Sequence, residues 1–246
     1  MNASKVYKRS IIDLFRLGSC VLCRHSASVQ SGLCHSCRAT LLPAPAPACR
    51  CGLPCPSAAP GGETAQAAPL CGNCLARPPA FSRICCAHSY AFPLDQLFNR
   101  YKHRRQLSAE RALEQLWQAA LPFPGPLPDA LVPMPSHWRR RWWRGFDPAA
   151  RLAQQAGEQL ALPVLDALRR TRATPRQQGL TAARRARNLR GALVACQPVA
   201  GLSLALVDDV VTTGSSAREA SALLLASGAT DVQVWALART LPGRNW

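Results

Sequence analysis

From Leu94 onward, apolar residues recur with two different periods. Leu94, Leu97, Phe98 and Tyr101 fall at helical spacing. A second helical stretch runs from about Ser108 to Ala120, with Ala112, Leu113, Leu116 and Trp117 on one face. Pro122 to Pro128 reads as a turn cluster. Ala130 to Met134 predicts a short strand, and Pro148 to Leu160 a helix with Leu152 and Leu160 among its buried positions. Leu202, Leu204, Leu206, Val207, Val210 and Val211 make a nearly continuous apolar run, with the strand itself expected over Ser203 to Val207. Such a run fits a strand covered on both faces. A helix is expected over Ser215 to Ser227, with Gly228 as its C-cap. Val232, Val234 and Ala236 alternate with polar or bulky neighbours, as in a further strand. This rhythm predicts an α/β fold, a parallel sheet flanked by helices.

The N-terminal part follows no such period. Of the twelve cysteines, eleven lie between Cys20 and Cys86, and only Cys196 is elsewhere. Pro43 to Pro79 is dense in Pro, Ala, Gly and Cys and cannot bury enough apolar area to fold unaided. Cys20-x-x-Cys23 with Cys34-x-x-Cys37, and Cys49-x-Cys51 with Cys71-x-x-Cys74, suit two tetrahedral Zn²⁺ sites that would staple it as a zinc-ribbon module. The second set has a short Cys49–Cys51 spacing, and Cys55 stands near enough to replace one of the two. Disulfides are the alternative, but they need an oxidising compartment and no export signal is visible. A redox pair is another, although the helical context of such a motif is missing. Cys85 and Cys86 read as buried or spare positions on a strand leaving the module.

Charge adds a partner class. Thirty Lys and Arg against thirteen Asp and Glu give a net charge of +17. So basic a chain points to a polyanion or an anionic small ligand. Between Ser136 and Arg190 there are thirteen arginines and three acidic residues. One segment, Val132 to Phe146, interleaves Arg with Trp, a pattern that suits phosphate contacts and base stacking on single-stranded nucleic acid. Another, from Thr171 through Arg190, has few apolar residues and reads as a flap over a ligand. No apolar window is long enough for a transmembrane helix. Met1 to Leu17 looks like a short amphipathic helix rather than a signal peptide. A cytoplasmic protein is expected, with the inner face of the membrane as a second location. The chain has no G-x-x-x-x-G-K-[ST] loop, so it does not read as a nucleotide-driven motor.

The densest chemistry lies in Leu204-Ala-Leu-Val-Asp-Asp-Val-Val-Thr-Thr-Gly-Ser-Ser216. Asp208 and Asp209 stand at the carboxyl end of the predicted strand, where open α/β sheets place their ligands. Thr212, Thr213, Gly214, Ser215 and Ser216 then open a helix whose first N–H groups lack internal partners. Those donors, the hydroxyls and the helix dipole can cradle a phosphate. Paired carboxylates can accept from two adjacent sugar hydroxyls. Turn and N-cap chemistry alone would explain any one of these residues, though less readily the ordered set.

That segment resembles the 5-phosphoribosyl-1-pyrophosphate (PRPP) signature of type I phosphoribosyltransferases. The resemblance extends over nearly the whole chain, to the ComF (competence protein F) family. It is carried by Cys20, Cys23, Cys34 and Cys37, Cys71-Gly-x-Cys74, Pro78-Pro79-Ala-Phe81, Tyr90, Lys102, Val132-Pro-Met-Pro135, Arg144-Gly-Phe146, Arg169 to Gln178, Arg184 to Gly191 and the acidic motif. Asp147-Pro148 departs from the family's Asn-Gln after Arg-Gly-Phe. The resemblance implies a zinc ribbon on a type I phosphoribosyltransferase-like sheet. The expected layout is an N-terminal helical segment over 1–17, the ribbon over 18–80, connecting helices over 81–128 and the phosphoribosyltransferase-like domain over 129–246. It implies ribose held by Asp208 and Asp209, the 5′-phosphate by Thr212 through Ser216, and Lys102, Arg141 and Arg144 as candidates for pyrophosphate or nucleic acid. Mg²⁺ would arrive with PRPP, bound mostly to ligand oxygens and water. The implied role is support of DNA uptake in transformation, with single-stranded DNA and a DNA-translocating ATPase as partners. The alternative is an active Mg²⁺-dependent phosphoribosyltransferase acting on a nucleobase or amine. No residue presents itself as a catalytic base.

Overall fold

A computed structural model describes residues 19–26, 29–30, 32–55, 70–104, 106–136, 145–171 and 192–242. The helix expected over Met1–Leu17, the Arg–Trp segment with Arg141 and Arg144, and the flap expected beyond Thr171 lie outside the described residues.

Four parallel strands form the central sheet: β3 (Arg83–Ser89), β4 (Ala130–Pro133), β7 (Ser203–Val211) and β8 (Asp231–Arg239), in the order β3-β8-β7-β4. Beyond β4, the stretch around Val164 adds a parallel bridge to Leu131. The expected strand at Ser203–Val207 runs on through the acidic pair to Val211. The reason is its neighbour: β8 is long enough to keep pairing, with Asp208 opposite Ala236 and Val211 opposite Arg239. Elsewhere the helices follow the sequence periods: α3 (Leu94–Arg104), α4 (Leu107–Ala120), α5 (Pro148–Leu160) and α6 (Ser215–Ala226). Two short antiparallel strand pairs stand apart from this sheet, β1 (Val29–Gln30) with β2 (Leu33–Cys34), and β5 (Leu168–Arg170) with β6 (Leu193–Ala195).

Side chains alternate across the sheet and build two cores. On one face Ala205, Val207, Trp235 and Leu237 pack with Leu97, Leu113, Trp117, Leu152 and Ala156 of α3, α4 and α5. On the other, Leu204, Leu206, Val234 and Ala236 pack with Ala217, Ala220 and Leu224 of α6 and with Leu168 and Leu193. Two large buried polar side chains are matched. The Trp117 indole donates to Leu152 O at 2.9 Å, and Gln233 accepts from Arg83 and Trp235 while donating to Pro126 O at 2.9 Å.

The cysteine-rich segment is built into both cores. Cys20, Val21, Leu33 and Cys34 belong to the first, and Cys49, Cys51, Cys55 and Cys74 to the second. Two short helices, α1 (His35–Ala39) and α2 (Gly72–Ala76), carry the later cysteine of each set. The same segment covers the outer edge of β3. Ala44 N–H donates to Ala87 O at 3.2 Å, Ser89 N–H to Leu42 O at 2.9 Å and Ile84 N–H to Arg50 O at 2.8 Å. Covering an edge in this way removes a template for unwanted pairing.

The return from α5 to the sheet is tight. A Cβ on Gly157 would stand 2.8 Å from Leu162 O and 2.9 Å from Val164 Cγ2. Helix propensity alone makes Gly→Ala stabilising by up to about 1 kcal/mol. Overpacking against a backbone carbonyl costs more, so Gly157→Ala is expected to lose about 1–3 kcal/mol. A lowered urea midpoint checks this, and an unchanged or raised midpoint contradicts it.

Candidate functional site

The C-terminal ends of β7 and β4 and the start of α5 enclose a cleft of about 210 Å³. Asp208, Asp209, Thr212, Gly214, Ser215 and Ser216 line it together with Lys102. Thr213 faces the same loop, its Oγ1 2.9 Å from Ser215 Oγ. Arg170, Asp147 and Ser136 complete the polar lining. Sequence reasoning did not assign these three to the site. Arg170 had a signal as the end of the arginine-rich β5, and Asp147 had one as the departure from the family pattern.

The acidic pair is held from several sides. Lys102 Nζ lies 2.5 Å from Asp209 Oδ2 and 4.9 Å from the centre of the Phe98 ring. That places Lys102 against the carboxylates that the resemblance assigns to ribose. Asp209 N–H donates to Asp208 Oδ1 at 2.8 Å. Burial, then the neighbouring Asp209 charge, push the Asp208 carboxyl up to about 8, with Asp147 adding to the rise. The backbone donor and Lys102 only partly oppose this. Near neutral pH Asp208 therefore holds a proton beside the Asp209–Lys102 ion pair. Arg170 shows the opposite balance: burial lowers its pKa, while Asp208 and Glu219 support its charge. The Asp147 carboxylate accepts from Ser136 Oγ at 2.6 Å and stands before Pro148, the first residue of α5.

The loop after β7 turns into α6 through a left-handed glycine. Gly214 has φ +76°, which an L side chain adopts only under strain, although nothing lies within 4 Å of where its Cβ would be. Backbone conformation, not crowding, calls for glycine there. Arg218 N–H donates to Gly214 O at 2.9 Å and closes the first turn of α6. The N–H groups of Ser216 and Ala217 precede any intrahelical acceptor and point toward the cleft end of the helix.

Each cysteine set gathers four sulfurs within 4.8 Å of one another: Cys20, Cys23, Cys34 and Cys37, and Cys49, Cys51, Cys71 and Cys74. All the described cysteines are unbridged. A tetrahedral Zn²⁺ with Zn–S near 2.3 Å sets sulfurs about 3.8 Å apart. Cys23 and Cys34 are 3.6 Å apart, and Cys51 and Cys71 are 3.8 Å apart. Burial opposes ionisation of Cys20, but the backbone N–H groups of Cys23, Cys34 and Leu22 outweigh it and bring the thiol down to about 6. Cys49 is likewise brought to about 7, against burial, by the backbone of Cys51 and Cys71. Burial and neighbouring sulfurs drive Cys37 and Cys74 strongly upward. One thiolate forms readily in each set while Cys37 and Cys74 resist, a conflict that a bound dication resolves. The short Cys49–Cys51 spacing does not break the second set, and Cys55 stands outside it.

Two outcomes follow. Asp208 keeps its proton in the folded chain up to about pH 8 but ionises near 3.8 once unfolded, so the folded state binds the extra proton across that window. Stability contributed by this group is then lost as pH rises from about 4 to about 8. Asp208→Asn should gain stability over the parent along that interval, read from denaturation midpoints at several pH values. A difference that is flat with pH contradicts a raised Asp208. Purified chain should also carry two zinc ions, one per sulfur set, by elemental analysis. Chelation should lower the melting temperature, whereas metal-free protein of unchanged stability would remove zinc from the fold.

No protein-family model matches the chain. Among characterised proteins it is 38% identical over 237 residues to DNA utilization protein YhgH of Escherichia coli, covering 91% of this chain and 98% of that one. It is 36% identical over 237 residues to DNA utilization protein YhgH of Salmonella typhi, with the same coverage. It is 34% identical over 230 residues to competence protein F of Haemophilus influenzae, covering 89% and 96%. Among solved structures, a glutamine PRPP amidotransferase from B. subtilis aligns over 50% of this chain and 25% of its own, at 21% identity and a TM-score of 0.36. A purine phosphoribosyltransferase from Pyrococcus horikoshii aligns over 56% and 89%, at 11% identity and a TM-score of 0.32. At these identities and spans, the chain belongs to the ComF family, that of competence protein F and DNA utilization protein YhgH.

Proposed function

We propose that the cleft binds PRPP or a related ribosyl phosphate, and that the protein serves DNA uptake by binding single-stranded DNA outside that cleft. The observation that carries the first half is the meeting of Asp208 and Asp209 with the loop Thr212–Ser216 in one pocket. The acid pair takes the ribose 2′- and 3′-hydroxyls, and the loop and the N-terminus of α6 take the 5′-phosphate. Lys102 and Arg170 line the same cleft and are cations within it for a pyrophosphate, with Mg²⁺ carried on its oxygens. The second half is supported by the net charge of +17 and by the names of the relatives, DNA utilization protein and competence protein F. Among the described residues no helix is long and apolar enough to cross a membrane.

Calorimetric titration with PRPP and Mg²⁺, then with a single-stranded oligonucleotide, tests both halves. PRPP is expected to bind with a Kd weakened about 10-fold or more by Asp209→Asn, the loss of one charged hydrogen-bonding partner. The oligonucleotide is expected to bind with an affinity that falls steeply with salt and is indifferent to PRPP. Full competition between the two would place DNA in the cleft instead. Release of pyrophosphate with a nucleobase or amine present would favour the phosphoribosyltransferase reading.

A further inference from the structure

The second sulfur set is tied to the phosphate-binding loop by two arginines. Arg239, the last residue of β8, is 2% exposed. Its Nε donates to Cys51 O at 3.0 Å. Its Nη1 donates to Val211 O at 3.1 Å, to Thr240 O at 2.9 Å and, closely, to Thr212 O. One guanidinium therefore joins the backbone of a sulfur ligand to the two carbonyls from which the loop departs. Arg218, in the first turns of α6, adds a second tie. Its Nη2 donates to Cys74 Sγ at 3.3 Å and its Nη1 to Arg77 O at 2.8 Å. The helix whose N-terminus faces the cleft is thus fastened at its other flank to a metal-ligating sulfur.

We propose that Arg239 and Arg218 couple the Cys49, Cys51, Cys71 and Cys74 set to the Thr212–Ser216 loop, so that metal in the set and a phosphate in the loop strengthen each other's binding. Four thiolates around Zn²⁺ would leave two negative charges on the group, and two guanidinium ions are bonded to its residues, Arg218 at the Cys74 sulfur and Arg239 at the Cys51 carbonyl. With metal bound, Cys51 and Cys74 are fixed, and so are the arginines and the loop carbonyls of Val211 and Thr212. The loop N–H groups are then already aimed when a phosphate arrives, which lowers the ordering cost of binding. Without metal, Cys51 and Cys74 have no common anchor and the loop must be ordered by the ligand itself. Linkage makes the effect reciprocal. Both arginines are positioning residues: neither lines the cleft. The inference rests on the ribosyl-phosphate reading of that cleft.

The test uses the full chain loaded with zinc and ribose 5-phosphate as the probe. Zinc affinity is measured by equilibrium competition with a chromophoric chelator, with and without the probe, and probe affinity by calorimetry on chains carrying two ions or one. One of the two ions should be held more tightly when ribose 5-phosphate is present, by roughly 5-fold or more, and the probe should bind more tightly to the doubly loaded chain by the same factor. In Arg239→Lys and Arg218→Ala that mutual effect should shrink or vanish, while the other ion keeps its affinity and shows that the chain has folded. Arg218→Ala, on the surface side of the tie, keeps the test open if Arg239→Lys fails to fold. Ribose 5-phosphate binding to the loaded chain with no change in either zinc affinity overturns the coupling and leaves the cleft reading intact. No binding of ribose 5-phosphate to the loaded chain overturns both.

Discussion

Strand β7 pairs in parallel with β4 on one side and β8 on the other, and it delivers the acidic pair at its end. A parallel sheet must be covered on both faces, and an open one must also hide its edges. The rest of the structure answers that demand. Helices α3, α4 and α5 cover one face, and α6 with the β5–β6 pair covers the other. What they leave open is closed by the cysteine-rich segment, which sends one sulfur set to each face and lays Leu42, Ala44 and Arg50 along the edge of β3.

The sulfur sets are thus part of the cores that hold the strands carrying the cleft. Each is braced by arginine to an element of that cleft. Arg100 of α3 donates to Val21 O, between the first two cysteines, and two residues further on Lys102 meets Asp209. Arg239 and Arg218 do the same for the second set and the loop after β7. A chain with so many Pro, Ala and Gly residues between its cysteines has little apolar area there to stabilise such contacts. Metal binding supplies folding free energy where the hydrophobic effect is weak.

Much of this was legible in the sequence, and the reason is local. β7, the turn and α6 announce themselves because an unbroken apolar run, two carboxylates and a glycine-containing turn follow one another without interruption. The bounds of α5 are readable because Pro148 opens it and the apolar positions keep one period. The sulfur sets follow from spacing. What the sequence hides depends on contacts between distant segments. Nothing local shows that Cys20 and Cys49 face opposite sides of one sheet. Arg239, just past the alternating run, carries no local sign of its partner, yet its guanidinium is buried against Cys51. The strand passes Val207 because β8 continues beside it, a fact of pairing rather than of propensity. Asp147 and Arg170 join the cleft only when α5 and β5 fold onto the end of β7.

The electrostatics of the cleft bear on how a basic protein of this kind would keep two anionic ligands apart. The chain carries +17, yet its cleft balances charge, setting Asp147, Asp208 and Asp209 beside Lys102 and Arg170, with Asp208 holding its proton near neutral pH. A charge-balanced wall gives a phosphodiester backbone little attraction, while the loop and helix N-terminus at its end favour one terminal phosphate. A pair of adjacent carboxyls finds two partners on ribose, whose 2′- and 3′-hydroxyls are neighbours. Within a DNA strand the 2′-hydroxyl is missing and the 3′-oxygen is esterified, so the pair would be desolvated without return. On the proposed reading, the same two residues that recognise a ribosyl phosphate therefore exclude the interior of a DNA strand. The DNA contact then falls to the chain's basic excess rather than to the cleft, through an attraction that is long-ranged and indifferent to sugar.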